Sequence, residues 1–433
     1  KCGRTSVIPR RTVTQISVAV DNQNLGDSPA PDILIICAPA LQPQAEELAA
    51  IHRHYQDATV LVAPQDRVFD EFSDGIRTPM AFRRLAKKFY DRDPERFRHI
   101  ILYGGGTYNN LTLDNSGSML VTFQAETPDE SRNKSYNYCS DQYFAMLDDG
   151  FSISRVNNTP MSVNVGRIAV KTPAEGDNYN LKIRRFFERG PQPAAFRRAL
   201  MYSDDGDKYQ HYFQNEESCE ALAPADMSIG RVDSYFYPYD KVAHTYPDLV
   251  REAGMALTRG VGYMSYCGHG TTKSMGDVIT LQSADTYRYD IAPFAMFASC
   301  ETFQFDRGEF SIVEHMTTDP DGGILCCVAS GRSVVLPYNR VLSTNMAQCY
   351  ADLAPGDTYG DLLRRTRQRI LANTTTSIAR NTMCYNFCGD PALPVPAPHY
   401  GIVLDSTASE SFTPRVANRL TGHIADADGN IVD

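Results

Sequence analysis

The stretch GVGYMSYCGHG, residues 260–270, decides the predicted fold together with IAPFAMFASCETF, residues 291–303. Each contains an apolar run of strand length, rich in aromatic and sulfur side chains, that ends at small polar residues. His269 follows the first run and Cys300 follows the second. If the runs are neighbouring parallel strands, both residues emerge at the carboxyl edge of one sheet, where open α/β folds place their chemistry. A thiol and an imidazole at that edge would form a nucleophile and its base.

The first hundred residues predict a parallel sheet covered by helices. Apolar runs at 32–39, 59–63 and 99–103 have the length of buried strands, and helical patterns at 44–55 and 79–92 separate them. This alternation is typical of βαβ units with right-handed crossovers. Further strands are predicted at 162–170, 199–203 and 323–329, and further helices at 180–189, 246–259, 340–353 and 361–372.

The chain is expected to divide into four parts. These are a connector or edge strand at 1–30, an amino-terminal α/β subdomain at 31–160, a catalytic α/β subdomain at 161–396, and the start of a carboxyl-terminal β domain at 397–433. The closing sequence VANRLTGHIADADGNIVD, residues 416–433, carries the Asp-Gly turn typical of β hairpins. Because it is too short to bury a core, we expect it to begin a domain that continues further.

Composition bounds the function. The chain has 433 residues, of which 42% are hydrophobic and 22% charged, as in a globular protein of two or three structural units. The net charge of −10 and the lack of a long basic run argue against a nucleic-acid partner. No stretch approaches the ~18 apolar residues of a membrane helix. The acidic loops at 107–160 lack EF-hand spacing but have oxygen ligands that suit a structural Ca²⁺.

A third group would orient the imidazole of His269. The acidic turn SDDGD, residues 203–207, ends a predicted strand in the same half of the chain, so Asp204 or Asp205 can take that role. Either carboxylate could instead belong to a solvated turn or bind Ca²⁺. The backbone N–H groups of Gly270 and Cys300 could receive the oxyanion that forms when the thiolate attacks a carbonyl.

The motifs resemble the gingipain family of cysteine peptidases. YCGHG at 266–270 and FASCETF at 297–303 carry the resemblance, with VNVGRIAV at 163–170 and CGDPALPV at 388–395, and the likeness covers about residues 30 to 396. It implies a caspase-like three-layer α/β/α sandwich in two subdomains and no required cofactor. The resemblance implies that Cys300 is the nucleophile, that His269 is the catalytic base, and that Asp204 is the orienting acid, with Asp205 one step away. It also implies that the N–H groups of Gly270 and Cys300 are the oxyanion donors. A substrate pocket is implied around Ser330, Gly331 and Tyr338.

Within that family, two segments resemble the sortase-like branch of the bacterial type IX secretion system. They are ASCETFQFD at 298–306 and TGHIADADGNIVD at 421–433. The resemblance implies an enzyme associated with the outer membrane at the cell surface, working with outer-membrane secretion components. It would remove carboxyl-terminal signal domains from protein cargo and join the cargo to anionic lipopolysaccharide. The alternatives are a secreted gingipain-like endopeptidase and a noncatalytic scaffold subunit with the same fold.

Overall fold

The computed structural model describes residues 24–111, 117–125, 137–373, 375–405, 415, 417, 421–426 and 429–432. Most of the connector or edge strand predicted at 1–30 lies outside these residues. The strands are β1 (Ile33–Cys37), β2 (Val60–Pro64), β3 (His99–Tyr103), β4 (Gly105–Gly106), β5 (Met119–Leu120), β6 (Asn164–Ile168), β7 (Arg198–Ser203), β8 (Ser228–Asp233), β9 (Tyr263–Cys267), β10 (Ser274–Met275), β11 (Ile279–Thr280), β12 (Phe294–Ala298), β13 (Cys326–Ser330), β14 (Tyr385–Cys388), β15 (Tyr400–Leu404) and β16 (Gly422–Asp426). The helices are α1 (Gln42–Gln56), α2 (Gln65–Phe72), α3 (Pro79–Arg92), α4 (Pro173–Arg189), α5 (Pro193–Phe196), α6 (Gln210–Leu222), α7 (Pro247–Thr258), α8 (Leu281–Thr286), α9 (Ile312–Thr318), α10 (Leu336–Ala351), α11 (Gly360–Asn373) and α12 (Thr376–Met383).

Within the described residues, ten strands form one central sheet in the order β2-β1-β3-β6-β14-β13-β12-β9-β7-β8. Neighbouring strands are parallel except β13 and β14, which are antiparallel. The sheet therefore has two halves of opposite strand direction that meet between β13 and β14. Strand β6, which follows the boundary predicted between residues 160 and 161, lies beside β3 in the first half. The division into subdomains stays a prediction. Strands β15 and β16 form a separate antiparallel pair.

Both faces of the central sheet are buried. In β12, Phe294, Met296 and Ala298 belong to one hydrophobic core, whereas Ala295 and Phe297 belong to another. Successive side chains of a strand point to opposite faces, so the two cores lie on the two faces of the sheet. The predicted class, a caspase-like α/β/α sandwich, is confirmed as a large mixed sheet packed with helices.

The strands that carry the predicted catalytic residues are neighbours. Ala298 of β12 is in register with Cys267 of β9, and Cys267 is in register with Ser203 of β7. The three strands are parallel and end at the same level. The loops that begin at Asp204, Gly268 and Ser299 therefore start side by side at one edge of the sheet.

Several elements were not predicted, among them α6 and β14. The buried residues of α6 are mostly polar, among them His211, Gln214 and Asn215, so the helix lacks the apolar stripe that reveals a helix in sequence. The strand β14 has only four residues and is followed directly by Gly389. Its brevity hides it from a search for period-two alternation.

The cysteine thiols show which of these side chains are accessible. The ten cysteines in the described part of the chain are all free, and only Cys300 among them is not fully buried. Burial of the other nine agrees with a packing role.

Among the described helices, none combines the length and the apolar character that a membrane crossing needs.

Candidate active site

The loop after β9 holds His269 by its backbone. The His269 N–H donates to Asp204 Oδ2 at 2.7 Å, and its carbonyl accepts from the Tyr266 hydroxyl at 2.7 Å. The imidazole itself projects into solvent, with 64% of the side chain exposed. It lies against Gly206, where an added Cβ would come within 2.8 Å of the ring. The backbone is thus fixed while the ring stays accessible to a substrate.

Cys300 is the second residue of the neighbouring loop, which follows β12, and is half-buried. Its Sγ accepts a hydrogen bond from the Val334 N–H at 3.4 Å and lies 3.6 Å from the Val334 carbonyl oxygen. Burial raises the pKa of the Cys300 thiol, and the Val334 N–H opposes that shift only in part. The resting thiol therefore needs a base to become a nucleophile.

The loops of His269 and Cys300 are packed directly against each other. A Cβ added at Gly270 would collide with Ser299 Oγ and come within 2.8 Å of the Cys300 carbonyl oxygen, so only glycine fits there. Within the described residues, the N–H groups of Gly270 and Cys300 donate to no protein acceptor. Two open donors beside a thiol are what stabilisation of an oxyanion requires.

The residue after the thiol has an unusual backbone. Glu301 has a φ of +58°, a region that residues with a Cβ rarely adopt. Its N–H donates to the Arg332 carbonyl at 3.1 Å and its carboxylate accepts from the Ser333 hydroxyl at 2.8 Å. Backbone strain of this kind often accompanies function. Here the bonds hold Glu301 toward the loop that follows β13.

The predicted acid, Asp204, is buried and does not bond the His269 ring in this structure. Its Oδ1 is hydrogen-bonded to Nδ1 of His211 and, at 3.2 Å, to the Gly206 N–H, while Oδ2 accepts the His269 amide. Burial opposes ionisation of Asp204, but the bonds from His211 and the His269 amide outweigh it and lower the pKa of the carboxyl. Asp204 thus acts on His269 through the backbone.

The carboxylate that approaches the His269 ring belongs to Asp207. Its Oδ2 lies 3.7 Å from His269 Nε2 and 3.5 Å from His211 Nε2. Asp205, the other candidate acid in the sequence, is exposed. The sequence signal that could have indicated His211 is its four-residue spacing from Asp207 at the start of a helix.

The predicted pocket residues lie in different surroundings. Ser330 and Gly331 are buried, with the Ser330 hydroxyl donating to the Arg332 carbonyl at 2.7 Å. Tyr338 is half-buried in the first turn of α10. The structure thus brings Tyr338 near the surface but not the other two, and Val335, with 40% exposure, is more open than either.

A buried ion pair supports the loop after β13. The Arg332 guanidinium donates to both carboxylate oxygens of Asp306, at 2.9 and 2.6 Å, and to the Asn137 carbonyl at 2.7 Å. Burial works against the charged Asp306, but the Arg332 guanidinium lowers the pKa of the carboxyl. The sequence analysis did not identify this pair, whose members are 26 residues apart. It fixes the segment that contacts Cys300 through Val334.

The described residues contain one cluster with the donors for a metal ion. It comprises Asp204, His211 and His269. The acidic loops at 107–160, where a structural Ca²⁺ is predicted, fall partly outside the described residues, and their described portion shows no such cluster. The Ca²⁺ stays a prediction.

Comparison with known proteins identifies the family. The family model described as peptidase family C25 matches residues 27–396. The chain belongs to peptidase family C25, the gingipain family of cysteine peptidases. This C25 chain has no match among curated proteins.

Two solved structures of RgpB share its fold. The complex of the pro- and mature domains of RgpB from Porphyromonas gingivalis has a TM-score of 0.62 at 13% identity, covering 86% of this chain and 82% of that chain. The arginine-specific gingipain R, RgpB, also gives 0.62 at 13% identity, with 88% and 83% covered. Dimeric latent PorU from Porphyromonas gingivalis gives 0.48 at 20% identity, and the alignment covers 95% of this chain but 35% of PorU. At 13% identity the likeness to the two RgpB structures concerns the fold.

Proposed function

We propose that this C25 chain is a sortase-like transpeptidase in which Cys300 is the nucleophile and His269 the general base. The observation that carries the proposal is the packing of Gly270 against Ser299 and Cys300. It sets two unoccupied N–H donors beside a thiol whose neighbouring strand ends in an accessible imidazole. These are the parts that acyl transfer through a thioester needs.

The proposed first half-reaction forms the thioester. His269 accepts the proton of the Cys300 thiol, and the sulfur attacks the carbonyl carbon of the scissile peptide bond. The oxygen that becomes negative is stabilised by the N–H groups of Gly270 and Cys300. The protonated His269 then gives its proton to the leaving nitrogen, the C–N bond breaks, and the amino-terminal part of the substrate stays on Cys300.

The second half-reaction releases the product. An amine loses a proton to His269 as it attacks the thioester, the C–S bond breaks, and the thiol recovers its proton. Water can take the place of the amine, which gives hydrolysis. The interpretation as a sortase is supported by two segments that resemble the sortase-like branch of the family. They are ASCETFQFD, residues 298–306, and TGHIADADGNIVD, residues 421–433.

The proposed biological reaction follows from the interpretation of the chain as a sortase. The substrate is protein cargo with a carboxyl-terminal signal domain, and the acceptor is an amine on anionic lipopolysaccharide. The chain would act with outer-membrane secretion components at the cell surface. The segment Ser330–Tyr338 near Cys300 fits a small or apolar side chain at the cleavage site, because its exposed members are Val335 and Pro337 and its Arg332 is engaged by Asp306.

The test uses a cargo protein that ends in its signal domain and adds a small primary amine. We expect mass spectrometry to show cleavage of the tail and an amide between the new carboxyl terminus and the amine. An active enzyme that yields only the hydrolysed terminus would favour the gingipain-like endopeptidase. Cleavage that continues unchanged in Cys300→Ala would contradict the enzymatic assignment and favour a scaffold subunit.

A further inference from the structure

A second histidine stands beside the proposed catalytic base. The rings of His211 and His269 meet edge-on, with centroids 5.1 Å apart and an interplanar angle of 90°. One ligand-type atom from each of Asp204, His211 and His269 lies within 4.8 Å of the others. The acyl-transfer mechanism does not use His211, so its position calls for a separate explanation.

Asp204 fixes the tautomer of His211. An ionised carboxylate only accepts hydrogen bonds, and the Asp204 oxygens already accept the backbone N–H groups of Gly206 and His269, so Nδ1 of His211 carries the proton in its bond to Asp204. In the neutral imidazole the lone pair is then on Nε2, which faces Asp207. A histidine that gives one N–H to a carboxylate and keeps its other nitrogen free is the usual form of a metal ligand.

Asp207 lies outside that cluster, and the distances from its carboxylate to the two imidazoles suit a shared small cation. Asp207 Oδ2 lies 3.5 Å from His211 Nε2 and 3.7 Å from His269 Nε2. A tetrahedral ion with ligands about 2.0–2.2 Å away keeps its ligand atoms roughly 3.3–3.6 Å apart. The side chains of His269 and Asp207 are 64% and 50% exposed, so both can move by a few tenths of an ångström without disturbing the core.

We propose that the imidazoles of His211 and His269 and the carboxylate of Asp207 bind a divalent transition-metal cation, with Asp204 holding His211 in the ligating tautomer. Two nitrogen ligands favour Zn²⁺ and its first-row neighbours over Ca²⁺ or Mg²⁺, which prefer oxygen. The two carboxylates, Asp204 and Asp207, balance the charge of the ion.

The bound cation inhibits the peptidase. It occupies the lone pair with which His269 would take the proton of Cys300, so the thiol cannot be activated until the ion leaves. This consequence rests on the proposed function, in which His269 is the base. The binding itself does not, since it depends only on His211, His269, Asp207 and the bond from Asp204.

The experiment measures metal binding directly on the full chain. The chain is stripped with a chelator and titrated with Co²⁺, whose visible absorption reports four-coordinate nitrogen and oxygen ligation, and then with Zn²⁺ in competition with a chromophoric chelator. We expect one ion per chain. His211→Ala should weaken Zn²⁺ binding by at least about 10-fold, and Asp207→Asn should weaken it also. Asp207 is exposed, so its variant keeps the test valid if His211→Ala does not fold.

Two further variants distinguish metal binding at this site from metal binding by the Cys300 thiol. Cys300→Ala should bind Zn²⁺ as the wild type does. His315→Ala is the matched control, because His315 pairs with Asp285 at 2.7 Å on another part of the surface. It too should leave binding unchanged. Loss of binding in Cys300→Ala together with full binding in His211→Ala and Asp207→Asn would overturn the proposal.

Activity measurements complete the test. Zn²⁺ should suppress cleavage of a cargo tail, a chelator should restore it, and Asp207→Asn should need at least about 10-fold more Zn²⁺ for the same inhibition. If the chain binds the ion but cleaves nothing, the peptidase assignment fails and the metal site stands. If the chain is an active peptidase that binds no Zn²⁺, the metal site alone is wrong.

Discussion

Asp204 Oδ1 is hydrogen-bonded to Nδ1 of His211, so the buried carboxylate predicted to orient His269 is engaged by a different histidine. Its other oxygen holds the His269 amide at 2.7 Å. The two histidines of this edge therefore have different roles. His269 has an exposed ring next to the loop of the thiol, whereas His211 is buried behind it.

This difference predicts unequal effects of removing the two histidines. His269→Ala should lower kcat/KM for cargo cleavage by about 10²–10⁴-fold, because the general base is lost. His211→Ala should lower kcat/KM less, and should lower the free energy of unfolding by about 1–3 kcal/mol, since Asp204 loses a charged hydrogen bond. Steady-state kinetics and urea unfolding measure both quantities. A larger kinetic loss in His211→Ala would reverse the assignment of the base.

Gly270→Ala should disable the enzyme through the oxyanion site. The new methyl group would collide with Ser299 Oγ, so the loop must shift and carry its N–H away from the reacting carbonyl. We expect kcat to fall by about 10²–10³-fold. Gly308→Ala is the matched control, since a Cβ there meets no atom within 4 Å. Equal activity of both variants would exclude Gly270 as a donor.

Asp306→Asn should destabilise the fold strongly. The change leaves the Arg332 guanidinium buried without its charged partner, which costs about 3–5 kcal/mol of unfolding free energy. Asp149→Asn, at an exposed ion pair with Lys87, should cause no measurable change. Urea unfolding compares the two variants. Similar effects of both would mean that the Asp306 pair is not a structural support of the loop.

Lys182 should make stability depend on pH. Burial lowers the pKa of Lys182 to about 7, although its Nζ donates to the Met316 and Ile324 carbonyls. Between pH 7 and the ordinary value of about 10.4 the unfolded chain binds a proton that the folded chain does not, so the unfolding free energy rises with pH, with a slope approaching ~1.4 kcal/mol per pH unit.

The matching variant for this effect is Lys182→Met. It removes the titrating group, so the rise in unfolding free energy from pH 7 to 9 should be steeper in the wild type than in the variant. Denaturant unfolding at several pH values gives both slopes. Equal slopes in the two proteins would show that Lys182 titrates at its ordinary pKa.

Much of the edge that carries the site could be predicted from sequence. The apolar runs before Gly268 and Ser299 are fully buried strands, and such strands keep an unbroken hydrophobic pattern that sequence reveals. Their adjacency also followed, because one crossover between parallel strands fits the residues that separate them.

The partners of the site could not be predicted in the same way. His211 lies on a helix whose buried face is polar, so no hydrophobic period marks it. Val334 contacts the thiol through its backbone N–H, a group that every residue other than proline possesses and that no side-chain pattern identifies. The pairing of Asp306 with Arg332 depends on how two loops meet after the sheet has formed.

The most direct test of the central claim is to trap the thioester. The wild-type chain is mixed with a cargo peptide, quenched in acid during turnover, digested, and searched by mass spectrometry for an acyl group on each of its eleven cysteines. The account predicts an adduct on Cys300, its loss in Cys300→Ala, and its strong reduction in His269→Ala. An adduct on another cysteine, or cleavage of the peptide at the wild-type rate by Cys300→Ala, would contradict it.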